Sequence, residues 1–337
     1  MRSLPKILRY ALLILFLLAI AGISTTIGWR PFLGAKVRKL TPETFAASPE
    51  RLTRGRYLAE SITGCLGCHS PHDWIQHDAP IPAGKEGSGE LMPIGGLPGT
   101  IYAPNLTSDP DTGAGRWSDD QLARAIREGI GHDGRALFPL MPYQNFRALS
   151  DEDLASIIVF LRTLPPVRNP LPQSQIIFSV KYLIRGAPEP LAGAVPQPDL
   201  STPLKRGAYL TEIANCAVCH TPQVRGAPIA GMDFAGGFIL DGPWGRVASA
   251  NITPDASGIS YYDEGLFIQT LRTGYVHTRK LSSIMPWHEF RNMTDEDLAA
   301  IFAYLRTVKP VSHRVDNTEN PTFCRICKAA HGFGDKN

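Results

Sequence analysis

The chain has 337 residues, which at about 150 residues per domain predicts roughly two domains. Hydrophobic residues make up 43% and charged residues 19%, so the composition supports a packed core and excludes a globally disordered chain. The 31 Gly and 29 Pro predict long loops and few strands. The chain has 34 Lys and Arg against 31 Asp and Glu, a surplus too small to indicate a nucleic-acid partner.

The N-terminal segment predicts a contact with a membrane. Residues 10–29 are an uncharged, largely apolar run of 20 residues, preceded by Arg2, Lys6 and Arg9. A helix of this length spans about 30 Å, the hydrocarbon thickness of a bilayer. The positive flank predicts that the N-terminus stays in the cytoplasm and that the rest of the chain is periplasmic. We therefore predict that residues 1–30 form a single-pass anchor in the inner membrane, with a cleaved signal peptide and a free periplasmic protein as the alternative.

The rest of the chain repeats itself once. The motif CLGCH at residues 65–69 recurs as CAVCH at residues 216–220, which is 151 residues later. Three further blocks recur in the same order, among them PNLT with ANIT and MPYQNFRALSDEDL with MPWHEFRNMTDEDL. Such self-similarity indicates a duplicated unit. We call residues 50–168 the first repeat and residues 201–314 the second repeat.

Each repeat is predicted as helices joined by long loops, which gives an all-α fold class. The clearest helix starts at an N-cap, Ser150 in the first repeat and Thr294 in the second, and carries apolar residues at helical spacing. Shorter helices are predicted over residues 117–129 and 262–274. No sustained alternating pattern predicts a strand.

Two segments lie outside the repeats. Residues 169–200 are a proline-rich linker, interrupted by the apolar stretch QSQIIFSVKYLIR. We predict a helix there that packs across both repeats, with a membrane or a partner as the alternative contact for its apolar face. Residues 315–337 form a C-terminal tail.

The C-x-x-C-H motif predicts a covalently attached haem. On a helical turn, residues i and i+3 present both thiols on one face, where they can add to two vinyl groups of one porphyrin, and the next residue supplies an imidazole ligand to the iron. A zinc site needs two more ligands per motif, and a thioredoxin-type dithiol needs a βαβ context; neither is evident. We predict two haem c groups, attached through Cys65, Cys68 and His69 and through Cys216, Cys219 and His220.

A methionine is the expected ligand on the other side of each iron, because a thioether is a soft, neutral donor. Met141 and Met285 occupy matching positions in the two repeats, and each is followed by Pro and an aromatic residue. We predict them as the axial ligands. Met92, His72 and His77 are rival candidates in the first repeat.

Further residues recur in matching loops and helices. Asparagine side chains and aromatic N–H or O–H groups can donate hydrogen bonds to a haem propionate; ordinary loop capping and aromatic packing are the alternatives. Arg127 and Arg272 recur before a glycine, where we expect a solvated helix face, with propionate pairing as the alternative. The predicted propionate contacts are Asn105, Asn251, Trp117 and Tyr262.

On these motifs the repeats resemble class I c-type cytochrome domains, and the whole chain resembles the membrane-bound cytochrome c subunits of bacterial alcohol, aldehyde and gluconate dehydrogenases. The stretches that carry the resemblance are GCLGCH and NCAVCH, the PNLT and ANIT loops, and MP followed by an aromatic residue and DEDL. The resemblance implies an electron carrier that takes electrons from a partner dehydrogenase toward quinone, an oxidase or a soluble cytochrome. A diheme peroxidase-like enzyme with one open haem site is the alternative, and the two matched methionines argue against it.

The resemblance has one departure. Such subunits carry three haem domains, whereas this sequence has two complete motifs and a third pair of cysteines, Cys324 and Cys327, with Lys328 in place of the histidine. We predict a local disulfide there, as an oxidising compartment permits. A metal site with His331, a haem with a lysine ligand and free thiols are the alternatives.

Overall fold

The computed structural model describes residues 5–224, 226–318, 322–326, 328 and 330–331. Most of its regular structure is helical. The helices are α1 (Lys6–Thr25), α2 (Arg30–Leu33), α3 (Pro49–Tyr57), α4 (Cys65–Cys68), α5 (Asp119–Glu128), α6 (Tyr143–Phe146), α7 (Asp151–Leu161), α8 (Phe178–Leu183), α9 (Pro203–Ile213), α10 (Cys216–His220), α11 (Glu264–Thr273), α12 (Trp287–Phe290) and α13 (Asp295–Leu305).

One crossed helix pair forms the centre of each repeat, α3 with α7 and α9 with α13. A glycine allows each crossing. A Cβ atom on Gly55 would overlap the carbonyl oxygen of Ser156 and lie 2.9 Å from Phe160 Cβ. A Cβ atom on Gly207 would overlap the carbonyl oxygen of Ala300 in the same way. The backbones therefore approach as closely as they do because neither position carries a side chain.

The helices predicted from caps are present. The hydroxyl of Ser150 accepts a hydrogen bond from the backbone N–H of Asp153, and α7 follows. Thr294 caps α13 in the same way. The shorter predicted helices are α5 and α11, which both end at a left-handed glycine. The side chains of Ser150 and Thr294 accept hydrogen bonds from backbone N–H groups that have no partner inside the helix. For this reason the two residues predicted where α7 and α13 begin.

The first repeat has one more residue than the second between its tyrosine and its first cysteine. Tyr57 precedes Cys65 by eight positions and Tyr209 precedes Cys216 by seven. The structure absorbs the extra residue in a π-helical turn, Leu58–Ile62, which continues α3. A π turn inserts one residue into a helix without breaking it. The cysteine turn of the first repeat therefore keeps its place relative to the crossed helices.

The two repeats contact each other through a symmetric pair of hydrogen bonds. The hydroxyl of Tyr57 donates to Asp297 at 2.5 Å, and the hydroxyl of Tyr209 donates to Asp153 at 2.7 Å. Each aspartate also pairs with an arginine of its own repeat. In addition, α12 packs on the π-helical turn and α6 packs on α9. Each repeat thus presents its tyrosine to the C-terminal helix of the other.

Six antiparallel two-stranded ribbons occur within the described residues, and most strands have two residues. The all-α prediction omitted them, because so short a ladder leaves no alternating run in the sequence. The longest is β7–β8, in which Ile239 pairs with Ala248 and Gly242 with Gly245. The strands are β1 (Glu90–Leu91), β2 (Gly99–Thr100), β3 (Tyr102–Ala103), β4 (Gln175–Ile176), β5 (Gln223–Val224), β6 (Ala227–Pro228), β7 (Ile239–Gly242), β8 (Gly245–Ala248), β9 (Tyr275–Val276), β10 (Arg279–Lys280), β11 (Thr322–Phe323) and β12 (Ala330–His331).

The linker helix differs from its prediction. It is shorter, because its first residues form β4, which pairs with β2 of the first repeat. It contains no buried residue and packs on α2 and on its own continuation, a 3₁₀ turn at Ile184–Gly186. Its main contacts are therefore not the expected packing across both repeats. Phe178 is exposed, whereas Val180 is half-buried.

Helix α1 is long and apolar enough to cross a membrane, with a mean hydropathy of 2.3 and no residue buried in the protein. In the C-terminal tail, Cys327 and the side chain of His331 lie outside the described residues, so the disulfide of Cys324 and its alternatives stay predictions.

Candidate haem-binding sites

Each C-x-x-C-H motif lies on a short helical turn that starts from a left-handed residue. Gly64 (φ 63°) precedes α4 and Asn215 (φ 60°) precedes α10. Gly and Asn are the residues that adopt this conformation most readily. Burial raises the pKa of the Cys65 thiol to about 11 and that of Cys216 to about 12. Reactive dithiols have lowered thiol pKa values, so neither turn has the electrostatics of a redox dithiol.

The two histidines are held in the same way. The Nδ1 atom of His69 lies 2.8 Å from the carbonyl oxygen of Pro104, and that of His220 lies 2.7 Å from the carbonyl oxygen of Ala250. A carbonyl only accepts, so Nδ1 carries the proton and Nε2 keeps its lone pair for a metal. Burial lowers the pKa of both imidazoles, which favours the neutral form that a ligand needs.

Asn105 and Asn251 hold the loops that present these carbonyl groups. Asn105 donates to Val167 O at 2.7 Å and accepts from both the N–H and the hydroxyl of Thr107. Asn251 makes the equivalent bonds, including one to Val311 O at 2.9 Å. Both amides are buried with protein partners at oxygen and nitrogen. These bonds fit the alternative of loop capping, which positions the acceptor of the histidine proton, and the propionate contact stays a prediction.

One continuous cavity joins the two sites. Its volume is about 2810 Å³, whereas pockets for drug-sized ligands reach about 1,000 Å³, so it has room for two large planar groups. The donor set fits haem as well, since paired thiols, an imidazole with a free Nε2 and a thioether recur on its wall. The described wall includes Cys65, Cys68, His69, Met141, Cys216, Cys219, His220 and Met285.

The two methionines lie in equivalent turns. The N–H of Met141 donates to Phe138 O, and Tyr143 N–H donates back to Met141 O at 2.8 Å. The N–H of Met285 and that of Trp287 form the same pair of bonds in the second repeat. Met92 also lines the cavity and stays a rival. His72 is not available as a ligand, because both of its ring nitrogens contact backbone carbonyl groups. Its Nδ1 atom lies 2.5 Å from Ala79 O and its Nε2 atom lies 2.9 Å from Gly67 O.

The remaining predicted residues divide into two groups. Trp117 and Tyr262 line the cavity, as a contact with its occupant requires. Arg127 and Arg272 have other partners. Arg127 donates to Asp151 at 2.7 Å, and Arg272 donates to Asp295. Each arginine thus links its helix to the first residue of the C-terminal helix of its repeat. Neither predicted role, a solvated helix face or a pair with a propionate, matches these contacts.

Glu289 was not predicted, although it lies beside the first haem-binding turn. This residue of the second repeat is 9% exposed, and a Cβ atom on Gly67 would overlap its carboxylate. Burial raises the pKa of Glu289 to about 8. The signal in the sequence was the difference between the repeats: Gly67 corresponds to Val218 in the second repeat.

The loop after His69 carries aromatic rings to the second repeat. The ring centroid of Trp74 lies 4.8 Å from that of Trp244, at the tip of the β7–β8 hairpin. The ring centroid of His77 lies 4.6 Å from that of Trp287, two residues beyond Met285. These contacts enclose the cavity between the two sites. Within the residues that the structure describes, no group of three or more His, Cys, Asp or Glu side chains is arranged to hold a metal ion.

Comparison with known protein families decides which chemistry the C-x-x-C-H turn of the second repeat carries. Residues 204–309 match the family model for cytochrome c. The second repeat thus contains a cytochrome c domain. This confirms the resemblance derived from the motifs, and it means that covalently bound haem, rather than zinc or a dithiol, is the chemistry of the C-x-x-C-H turn in the matched region.

Relatives with established names match a longer part of the chain. It is 33% identical to a nicotinate dehydrogenase subunit of Pseudomonas putida over 241 residues, which are 66% of this chain and 18% of that protein. It is 32% identical to the fructose dehydrogenase cytochrome subunit of Gluconobacter japonicus, over 82% of this chain and 56% of that protein. It is 29% identical to a diheme cytochrome c-type protein of Cereibacter sphaeroides, over 81% of this chain and 91% of that protein. The chain thus spans under two thirds of the length of those two dehydrogenase subunits.

Proposed function

We propose that this cytochrome binds two haem c groups, one per repeat, and transfers electrons on the periplasmic side of the inner membrane. The observation that carries the proposal is the duplication of a complete ligand set: each repeat places a C-x-x-C-H turn with a fixed histidine tautomer and a matching methionine on the wall of one cavity. The relative of similar length is named as a diheme cytochrome, which supports two groups rather than one.

Named residues have separate tasks in this proposal. Cys65 and Cys68 hold the first haem by thioether bonds, and His69 and Met141 ligate its iron; Cys216, Cys219, His220 and Met285 do the same for the second. The bound haem supplies one-electron oxidation and reduction. Pro104 O and Ala250 O fix the histidine tautomers. With a histidine and a methionine both available as ligands in each repeat, no coordination site would stay open for peroxide, which favours electron transfer over a peroxidase.

The anchor and the partners belong to the same proposal. Helix α1 crosses the inner membrane, supported by its length, hydropathy and positive flank. The electron donor is a dehydrogenase subunit, which is supported by the names of the dehydrogenase relatives. The acceptor is quinone, an oxidase or a soluble cytochrome. Co-purification from native membranes with redox spectra tests donor, acceptor and haem count together.

The axial ligands are tested by Met141→Ala and Met285→Ala in the haem-loaded protein. Each change is expected to abolish one methionine–iron charge-transfer band at the red edge of the spectrum and to lower the potential of one haem, because a thioether ligand raises the potential. Met92→Ala is the matched control and is expected to leave both bands in place. Loss of a band in Met92→Ala with retention in Met141→Ala would reassign the first site.

The same samples separate the carrier from the peroxidase alternative. The carrier predicts two six-coordinate low-spin haems and no turnover of hydrogen peroxide. A stable high-spin five-coordinate haem in the unmodified protein, together with peroxide turnover, would support the peroxidase.

A further inference from the structure

An apolar surface lies where the chain leaves α1. Helix α2 packs on α8 and the 3₁₀ turn behind it, and Arg185 Nη1 donates to Pro31 O at 3.4 Å. Around this pair, large apolar side chains point outward, with Leu33 74% and Phe178 78% exposed. We call this surface the interfacial platform; its exposed apolar residues are Ile27, Trp29, Phe32, Leu33, Ile177 and Phe178.

The platform is held firmly on the first repeat. Strand β4 pairs with β2, and the N–H of Ile177 donates to Pro98 O at 3.0 Å, so the chain is fixed directly before α8. The exposed side chains are therefore displayed by a fixed backbone. A contiguous apolar surface of this kind on a folded protein marks a contact with a partner or a membrane.

The charges on the platform's own elements are positive, and the nearby Glu189 is paired with Lys36 at 3.0 Å. Residues 1–42 and 169–188 contain no Asp or Glu, whereas Arg30, Lys181 and Arg185 lie on α2, on α8 and directly after α8. Basic residues beside apolar and aromatic side chains are typical of segments that lie in the headgroup layer of a bilayer with anionic lipids. The charge pattern thus fits the surface of a bilayer that contains anionic lipids.

Chain continuity places the platform at the bilayer. Helix α1 ends at Thr25 and α2 begins at Arg30. The four residues between them span at most about 14 Å even when fully extended. If α1 crosses a membrane, α2 must lie at its surface, and α8 lies there too because it packs on α2.

We propose that the interfacial platform is a second membrane contact, in which α2 and α8 lie in the headgroup layer of the bilayer that α1 crosses. The proposal rests on the anchoring of α1 given under the proposed function. It sets the orientation of the whole cytochrome, since Val180, Ile184 and Arg185 also line the haem-binding cavity. Helix α8 then lies between the haem-binding cavity and the lipid surface.

Photocrosslinking of the full-length, haem-loaded protein in vesicles of phosphatidylethanolamine and phosphatidylglycerol tests the platform. The variants are Phe178→p-benzoylphenylalanine on the platform, Leu15→p-benzoylphenylalanine in α1 and Tyr261→p-benzoylphenylalanine, an exposed aromatic position in the second repeat. After irradiation and proteolysis, mass spectrometry detects peptide–lipid adducts. We expect adducts at positions 15 and 178 and none above background at 261. Adding Lys181→Gln is expected to lower the yield at 178 by up to about fivefold and to leave position 15 unchanged.

The outcomes separate the two proposals. Adducts at 15 without adducts at 178 overturn the platform and leave the anchor standing. Absence of adducts at both positions overturns the anchor and the platform together. Equal yields at 178 and 261 overturn the platform, because the lipid contact is then unspecific. In native membranes, an adduct of position 178 to a polypeptide in place of lipid overturns it in favour of a protein partner.

Discussion

The two repeats share a crossed helix pair and differ at the turn that carries their cysteines. In the first repeat the turn follows a π-helical segment and contains Gly64 and Gly67; in the second it follows a regular helix and contains Asn215 and Val218. Both versions place their histidine against a loop carbonyl at nearly the same distance. The geometry of the C-x-x-C-H turn and its histidine is thus common to both, and the differences lie outside it.

Packing between the repeats explains the difference. Glu289 of the second repeat occupies the space that a side chain on Gly67 would need, and one of its carboxylate oxygens would lie 2.9 Å from a Cβ atom on Gly64. The structure shows the first turn covered by the other repeat. A difference between equivalent positions of a duplication therefore indicates a contact between the copies, whereas identity indicates the shared chemistry.

The largest effect is expected from the cysteines. Cys65→Ala with Cys68→Ala should remove the haem of the first repeat, because both thioether bonds are lost, and should leave the second attached. Cys216→Ala with Cys219→Ala should do the reverse. Haem content per polypeptide, measured by the pyridine haemochrome spectrum, should fall by half in each variant. Retention of the full content in either one would contradict a separate site in each repeat.

The shared helix crossing should be equally sensitive in both repeats. Gly55→Ala and Gly207→Ala each place a Cβ atom against a backbone carbonyl of the facing helix, and such overpacking costs about 3 kcal/mol. Denaturant unfolding followed by circular dichroism measures the loss in the free energy of unfolding. A large loss in one repeat with none in the other would show that the crossings are not equivalent.

Gly67→Ala tests the contact that only the first repeat makes. Its Cβ atom would overlap the Glu289 carboxylate and lie 2.7 Å from Glu289 Cδ, so we expect a loss of about 2 kcal/mol in unfolding free energy. In a Glu289→Ala background the same change should cost much less, since the obstructing carboxylate is gone. Additive losses in the double variant would refute the contact.

Glu289 should also make stability depend on pH. Its pKa is raised to about 8, so it is protonated in the folded protein at a pH where the unfolded chain is ionised. Unfolding then releases a proton, and the stability from this group falls as pH rises toward 8, by up to about 1.4 kcal/mol per unit. The histidine with a pKa lowered to about 4, His288, acts in the opposite direction below about pH 6.5.

The informative window is therefore pH 6.5 to 8. Glu289→Gln should reduce the downward slope of unfolding free energy with pH in this window. Glu90→Gln is the corresponding change in the first repeat, because burial raises the pKa of Glu90 to about 8 as well. This variant should remove a similar share of the slope. An unchanged slope in Glu289→Gln would mean that this carboxyl is ionised in the folded protein.

The sequence predicted those parts of the structure that depend on neighbours along the chain. Ser150 and Thr294 located the C-terminal helices, because a cap bonds to a group three residues away. The C-x-x-C-H spacing predicted the short helical turns α4 and α10 for the same reason. The exposed linker helix and the ribbons depend on partners far along the chain, as when β4 pairs with β2.

The roles of polar side chains were harder to predict than their positions. Asn105 recurred in a matching loop, which indicated a shared task, but its bond to Val167 is made to a residue 62 positions away. Arg127 likewise bonds Asp151 on another helix. Repetition shows that a residue matters to both copies, and only the folded chain shows which atom it contacts.

The central claim is that each repeat holds one covalently bound haem. Intact mass spectrometry of the denatured, matured chain tests it most directly, because only covalent attachment survives denaturation. We predict the polypeptide mass plus two haem groups, with one group on the tryptic peptide that contains CLGCH and one on the peptide that contains CAVCH. A mature chain that carries one group or none would contradict the account.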